Sequence, residues 1–146
     1  MDARYYLEDP DLIYSPGLVI FRDIVEQNLD DMIAMAGDPK RLRPHCKTHK
    51  MPSIISMELA RGIQKHKCAT LAEAEMLAST GVPDIFLAYN LVGPNIQRAV
   101  RFRQAFPDVT LAVTADHPQP IEDLSPAMSA RGLQINVLLD LDVGMH

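Results

Sequence analysis

The sequence predicts an α/β fold built around a parallel β-sheet. Short apolar strands alternate with segments of helical apolar spacing, and the predicted strands recur at about the length of one βα unit, beginning near positions 43, 67, 84, 110 and 135. Such alternation places helices outside a parallel sheet, whose buried strands are continuous apolar runs, as at 84–89 and 135–139. A doubly wound sheet and a (β/α)8 barrel both fit, although no strand is followed by the GxGxxG turn of dinucleotide-binding sheets.

The first half of the chain predicts three strands and two helices. In order, they are a short buried strand, a helix, a basic strand, a second helix and a strand, at 18–21, 23–36, 43–50, 52–61 and 67–70. Asp23, with Glu26 three residues later, is typical of a helix N-cap, and Gly37 ends that helix. Pro52 opens the second helix and Gly62 ends it.

The second half continues the alternation. Thr70 and Glu73 predict a capping box that opens a helix, and Gly81 closes it. The elements that follow are a strand, a helix, a strand, a helix and a strand, at 84–89, 93–105, 110–114, 120–130 and 133–143. Pro126 predicts that the last helix is interrupted or begins late. The final strand is the most apolar of all.

Length and composition limit the possible functions. The 146 residues predict one domain, and the net charge of −5 argues against a nucleic-acid or membrane-surface partner. No apolar run is long enough to span a membrane, and the amino terminus does not resemble a signal peptide. Cys46 and Cys68 lack CxxC spacing and fit reduced thiols, so we expect a cytoplasmic protein.

The stretch at 43–50, RPHCKTHK, carries the strongest chemical signal. Read as a strand, it places Arg43, His45, Lys47 and His49 on one face, which a core cannot satisfy without ligands or partners. A partly desolvated lysine among cations has a lowered pKa and a nucleophilic amine, which a Schiff-base lysine needs. The alternative is a basic surface strand or loop.

Other polar residues follow predicted strands, at the edge that is catalytic in barrels. Tyr89, Asp116 and His117 lie at or just past strand ends, as do Asp140 and Asp142. Either Asp140 or Asp142 orients the Gly-Met-His turn at 144–146, or the two carboxylates are a solvated pair at the end of the strand. His117 and Cys68 fit no metal-ligand spacing and are interpreted as structural, so no metal site is predicted in this chain.

RPHCKTHK resembles the RPHxKTHK motif of the D-threonine aldolase and D-serine dehydratase group. These pyridoxal-phosphate (PLP) enzymes have the fold-type III barrel of alanine racemase. Five other stretches resemble motifs of the group in the same order, with Asn90 where proline is common, at 15–19, 28–29, 69–75, 89–93 and 142–146. The resemblance implies a partial TIM barrel of the alanine racemase type, with about five of the eight barrel strands present.

The resemblance also implies roles for individual residues. Lys47, rather than Lys50, would form the Schiff base with PLP. His45 would line the cofactor pocket, or would be a satisfied buried histidine. Arg43 would be a further residue of the cofactor-binding site and would neutralise a carboxylate, or would only begin the strand. Tyr89 would form a hydrogen bond near the cofactor, or would only pack against its neighbours.

The implied activity is retro-aldol cleavage of a D-β-hydroxy amino acid to glycine and an aldehyde. The first alternative is a D-serine dehydratase-type ammonia-lyase, and the others are a non-catalytic PLP-binding protein and a doubly wound anion-binding module. The group is homodimeric and uses a divalent metal (Mn, Zn or Mg), whose ligands would lie outside this chain. Because the sequence ends at His146, before the arginine of the DxGMHR motif, we expect 1–146 to be the amino-terminal part of a longer enzyme. Alone, it would bind PLP weakly and would not turn over.

Overall fold

The computed structural model describes residues 5–144, so Met1–Arg4, Met145 and His146 lie outside the described residues. The chain divides into two compact units, Met1–Gly37 and Asp38–His146. In the first unit, helix α1 spans Arg22–Ala36 and ends at Gly37, whose φ of 78° is left-handed, as predicted. Phe21, not Asp23, is its N-cap, with no side-chain hydrogen bond. The predicted strand at 18–21 is wrong, since this stretch is irregular and has no partner strand in the described part of the chain.

The second unit is a parallel α/β layer, which confirms the predicted fold class. Four strands pair in the order β1-β2-β3-β4, all parallel, with one helix between each strand and the next. The strands are Lys65–Cys68, Asp84–Asn90, Thr110–Ala115 and Asn136–Leu139. The helices after α1 are α2 to α5, at Pro52–Ala60, Leu71–Ser79, Pro94–Ala105 and Pro118–Ser129. None of the helices in the described range is long and apolar enough to cross a membrane.

The core of this unit lies between the sheet and its helices. Alternate residues of β2 and β3 are fully buried on that side, including Ile85, Leu87 and Val113. Each contributes about 1.5–3 kcal/mol by leaving water. Pro126 does not interrupt α5, contrary to prediction, because it lies on the exposed face of the helix. There, water can bond the carbonyl oxygen of Glu122, which the proline leaves without its usual donor.

The predicted basic strand is mostly a turn. Only His45 forms a β-bridge, to Lys67 of β1, and the N–H of Lys67 donates to the carbonyl oxygen of Pro44 at 2.8 Å. The chain then enters a single 3-10 turn, Cys46–Thr48. Among the described residues, the sheet therefore has four strands and one bridged position rather than five strands.

The last strand also differs from its prediction. β4 covers only Asn136–Leu139, and all four residues are exposed. It is an edge of the sheet among residues 5–144. Its apolar composition correctly predicted a strand, but burial on both faces was wrong, because the described residues pair with it on one side alone.

Candidate active site

Lys47 lies in the 3-10 turn Cys46–Thr48, just after the chain pairs with β1. Its N–H donates to Nδ1 of His45 at 3.2 Å, and the N–H of Lys50 donates to the carbonyl oxygen of Cys46 at 2.8 Å. The Cys46 side chain is only 1% exposed and anchors the turn in the core. The Lys47 side chain is exposed. The turn therefore presents a primary amine at the carboxyl end of the parallel sheet.

A buried carboxylate holds this turn against α3. Glu73, with a side chain 5% exposed, accepts the N–H of Ala69 at 2.7 Å and lies 3.3 Å from Nζ of Lys50. Burial tends to raise the pKa of Glu73, but the Ala69 hydrogen bond and the Lys50 ammonium outweigh it and lower the pKa below its ordinary value. Thr70 caps α3 by accepting the N–H of Glu73 at 3.1 Å, as predicted. In a capping box the Glu73 carboxylate would accept the N–H of Thr70, but here it accepts the N–H of the preceding residue, Ala69. The same carboxylate also binds Lys50 and so holds the turn.

His45 shares one row of the sheet with Lys67, since the two residues form the parallel bridge. Burial lowers the pKa of His45, and the positive charges of Lys47 and Lys67 lower it further. The neutral ring therefore suits the hydrogen bond that Nδ1 accepts from the Lys47 N–H. This contact makes His45 a residue that positions the lysine turn, and its predicted place in a cofactor pocket stays a prediction.

Arg43 lies at the opposite end of the strands from Lys47. Its two terminal nitrogens bind the Asp84 carboxylate at 2.7 and 3.0 Å, and one also donates to the carbonyl oxygen of His66 at 3.4 Å. Asp84 is the first residue of β2. The structure therefore brings His45 and Lys47 together and leaves Arg43 in an ion pair at the amino-terminal edge of the sheet, away from the lysine turn.

Tyr89 lies at the carboxyl end of β2 and is 67% exposed, so it does not pack as an ordinary strand-end aromatic. It borders a shallow hollow together with Thr70, Asn90 and Arg98. A register irregularity in β2 lies between Leu87 and Asn90. Tyr89 is thus on the same edge of the sheet as Lys47, and its hydrogen bond to a cofactor remains a prediction.

The other strand-end residues have local structural roles. Asp116 accepts a hydrogen bond from the Asn90 side chain at 2.6 Å, and Nδ1 of His117 accepts the N–H of Gln119 to cap α5. Asp142 accepts the N–H of Gly144 at 2.8 Å and so orients the turn after β4, one of the two predicted alternatives. The end of that motif, Met145 and His146, lies outside the described residues.

A buried pair that the sequence analysis missed lies beneath the site. Nε2 of His66 is 2.9 Å from a carboxylate oxygen of Glu58, and both side chains are almost fully buried. His49 lies close to this pair; burial lowers the pKa of His49, and Glu58 opposes that effect. The sequence signal was available, because His66 falls on the apolar face of β1 beside Cys68.

His45, Cys46 and Glu73 form a cluster with ligand atoms within 4.8 Å of one another. The residues do not fit a metal as they stand, because both Glu73 oxygens are already engaged by Ala69 and Lys50. Burial, followed by the charge of Glu73, raises the pKa of the Cys46 thiol to about 11, which keeps it protonated near neutral pH. The cluster therefore holds the turn together by hydrogen bonds and charge.

Comparisons with known proteins match this architecture. The family model of the alanine racemase N-terminal domain matches residues 20–146. The chain belongs to the alanine racemase N-terminal domain family. Its parallel sheet with outer helices is the α/β fold of that family, consistent with part of a barrel.

Three relatives of this family member are informative. A D-threonine aldolase from Arthrobacter sp. is 34% identical over 131 residues, which are 89% of this chain and 34% of the relative. The crystal structure of D-threonine aldolase from Filomicrobium marinum superposes with a TM-score of 0.79 at 32% identity, covering 90% of this chain and 35% of that one. For D-threo-3-hydroxyaspartate dehydratase from Delftia sp. HT23 the TM-score is 0.81 at 25% identity, covering 92% and 35%. The chain thus spans about a third of the length of these relatives.

The two lysines of the RPHCKTHK motif can be compared as attachment points for PLP, and one of them is suited to it. The aldehyde of PLP needs a primary amine that is accessible and free of a competing carboxylate. Within residues 5–144, no carboxylate forms an ion pair with Lys47, whereas Lys50 is held by Glu73. Of the two lysines of the motif, Lys47 is therefore the one whose amine is available.

Proposed function

We propose that this chain is the lysine-bearing part of a PLP-dependent lyase that acts on D-β-hydroxy amino acids. The observation that carries the proposal is the exposed amine of Lys47, at the carboxyl end of a parallel sheet and in a turn fixed by buried neighbours. When bound, PLP supplies an electron sink for breaking a bond at the amino acid Cα. Lys47 would bind the cofactor covalently through Nζ.

The other residues of the turn serve Lys47 in this proposal. His45 orients its backbone through Nδ1, and Glu73, through Lys50, keeps the turn from moving away from α3. Because the His45 ring is neutral, it does not compete with Lys47 for a carboxylate. A reacting amine held in one position gains rate by orientation alone.

Retro-aldol cleavage of a D-threonine-like substrate is the proposed reaction, to give glycine and an aldehyde. The D-threonine aldolases among the relatives support it. Loss of the β-hydroxyl to give a keto acid and ammonia is the second candidate, supported by the dehydratase from Delftia sp. HT23. A divalent metal held by residues outside this chain and a homodimeric assembly are further parts of the proposal.

The experiment uses the protein produced from the complete coding sequence that contains this chain. It is supplied with PLP and with Mn²⁺, Zn²⁺ or Mg²⁺, and then with D-threonine or D-threo-3-hydroxyaspartate. Glycine and an aldehyde indicate an aldolase, whereas ammonia and a keto acid indicate a dehydratase. Lys47→Ala should abolish either activity, with Lys65→Ala as the matched control, since Lys65 is an exposed lysine on β1. Absence of both product pairs with every metal would overturn the proposal.

A further inference from the structure

A second lysine, Lys67, lies on the strand next to the segment that carries the proposed cofactor lysine, and the proposed function gives it no role. Lys67 is the third residue of β1 and is half-buried. It forms a parallel β-bridge with His45, which lies in the neighbouring segment of the sheet. Two residues after His45 the chain reaches Lys47. Lys67 is therefore one segment across from the proposed cofactor lysine and slightly beneath it.

The register of the sheet defines the side on which Lys67 lies. His45, Lys67, Phe86 and Ala112 occupy one row across four neighbouring segments. On β1 the alternate residues His66 and Cys68 are buried on the other side, against the helices. Lys67 thus projects from the face opposite the helix layer, which is the interior face of a barrel of this family.

Lys67 is a half-buried residue, and its ammonium group has no carboxylate partner among residues 5–144. Its Nζ lies over the Phe86 ring, 5.6 Å from the centroid. After burial, the positive charges of Lys47 and Lys67 also lower the pKa of His45, so both charges lie near its ring. Such a position keeps a cation available for an anionic ligand.

We propose that Lys67 is a binding residue of the same site, and that its ammonium group pairs with an anionic oxygen of the bound cofactor or substrate. The inference rests on the proposed function, since it takes the ligand of Lys47 to be PLP. Two oxygens have the required chemistry: the ring phenolate of PLP and the α-carboxylate of the amino acid. The phosphate is a third anion, but Lys67 is bridged to His45, two residues before Lys47, so we place it near the reacting end of the ligand.

The test measures PLP binding and the absorption spectrum of the complete protein, comparing Lys67→Met with the wild type. Lys65→Met is the matched control, because Lys65 is on the same strand and the same side but two residues nearer the amino-terminal edge. If the phenolate is the partner, Lys67→Met weakens PLP binding about tenfold. It also raises the pH at which the absorption spectrum of the bound cofactor changes (the spectral midpoint), because a positive charge beside the phenolate is lost. Lys67→Arg should restore both.

The second arm distinguishes the carboxylate. If that is the partner, the titration without amino acid is unchanged, but the spectral response to D-alanine needs about tenfold more ligand in Lys67→Met. The response to ethanolamine, which has no carboxylate, stays the same. The proposal is overturned if Lys67→Met matches Lys65→Met in PLP affinity, spectral midpoint and D-alanine response. Borohydride reduction of the PLP complex distinguishes failure of this inference from failure of the proposed function. If Lys47 is labelled but Lys67→Met has no effect, only this inference is contradicted. If no lysine is labelled, the proposed function is contradicted.

Discussion

The ammonium group of Lys50 lies 3.3 Å from the buried carboxylate of Glu73 and joins the turn that carries Lys47 to the first turn of α3. Lys50 makes this contact from a left-handed backbone conformation, with φ of 52°. A left-handed residue other than glycine costs about 1–2 kcal/mol. The two lysines of the motif thus have different tasks: Lys50 holds the turn and Lys47 presents its amine.

The first prediction separates the charge of Lys50 from its backbone strain. Lys50→Ala should lower the free energy of unfolding by about 1–2 kcal/mol, because Glu73 remains buried without its cation. Lys50→Gly loses the same ion pair but relieves the left-handed strain, so it should be about 1 kcal/mol more stable than Lys50→Ala. Urea denaturation of both variants measures the difference. Equal stabilities, or a less stable glycine variant, would contradict this assignment.

The second prediction concerns acid stability. Burial lowers the pKa of His45 and of His49 from the ordinary 6.5, so below that pH the unfolded chain binds more protons than the folded one. The free energy of unfolding should therefore fall as the pH decreases from about 6.5 through the lowered pKa values. The lowered pKa of Glu73 adds a further loss below about pH 4.5.

Denaturation midpoints at about pH 8, 6, 5, 4 and 3 would check the second prediction, since these values lie on either side of the ordinary histidine and carboxyl ranges. His45→Asn should flatten the curve between roughly pH 6.5 and 5, and Glu73→Gln should flatten it below about pH 4.5. A wild-type protein that becomes more stable on acidification would contradict the assignment.

The third prediction concerns Arg43, whose guanidinium is engaged by Asp84. Arg43→Met and Asp84→Asn should each lower the free energy of unfolding by about 1 kcal/mol, and the double variant should lose little more than either single one. PLP affinity should be unchanged in Arg43→Met, because Arg43 lies at the far edge of the sheet from Lys47. A marked loss of PLP affinity would instead support the cofactor-binding role that the motif suggested.

The fourth prediction concerns the buried contact between Glu58 and His66, 2.9 Å long. Glu58→Ala should destabilise the protein by about 3 kcal/mol, because it leaves a buried histidine ring without its partner. Glu58→Gln should cost less, since its amide oxygen keeps a hydrogen bond. The paired change Glu58→Met with His66→Leu should recover most of the loss. Thermal unfolding orders the variants, and a Glu58→Ala protein as stable as the wild type would contradict the role of this pair.

The sequence was a good guide wherever local signals agreed with the fold. Gly37 and Gly62 mark real helix ends with positive φ, and Thr70 caps α3 through its hydroxyl oxygen. The strands predicted at 84–89 and 110–114 are the two central strands of the sheet, β2 and β3. These features depend on secondary-structure propensity, helix capping and the spacing of apolar residues, all of which are set by residues close together in the sequence.

The errors arose where tertiary contacts decide the backbone. The alternation of charges at 43–50 predicted a strand, but burial of Cys46 and the charge of Glu73 favour a turn after His45. That turn separates Arg43 from Lys47, which an ideal strand would have placed on one face. The alternation of side chains along a strand does not reveal an ion-pair partner that lies far away in the sequence, as Asp84 does from Arg43.

Lys47 is the residue that we propose binds PLP covalently. The most direct test incubates the complete protein with PLP, reduces it with borohydride and maps the labelled lysine by peptide mass spectrometry. We expect one label on Lys47, its loss in Lys47→Ala and its retention in Lys50→Gly and Lys67→Met. A label on Lys50 or Lys67 in the wild type, or no label at all, would contradict covalent binding of PLP by Lys47.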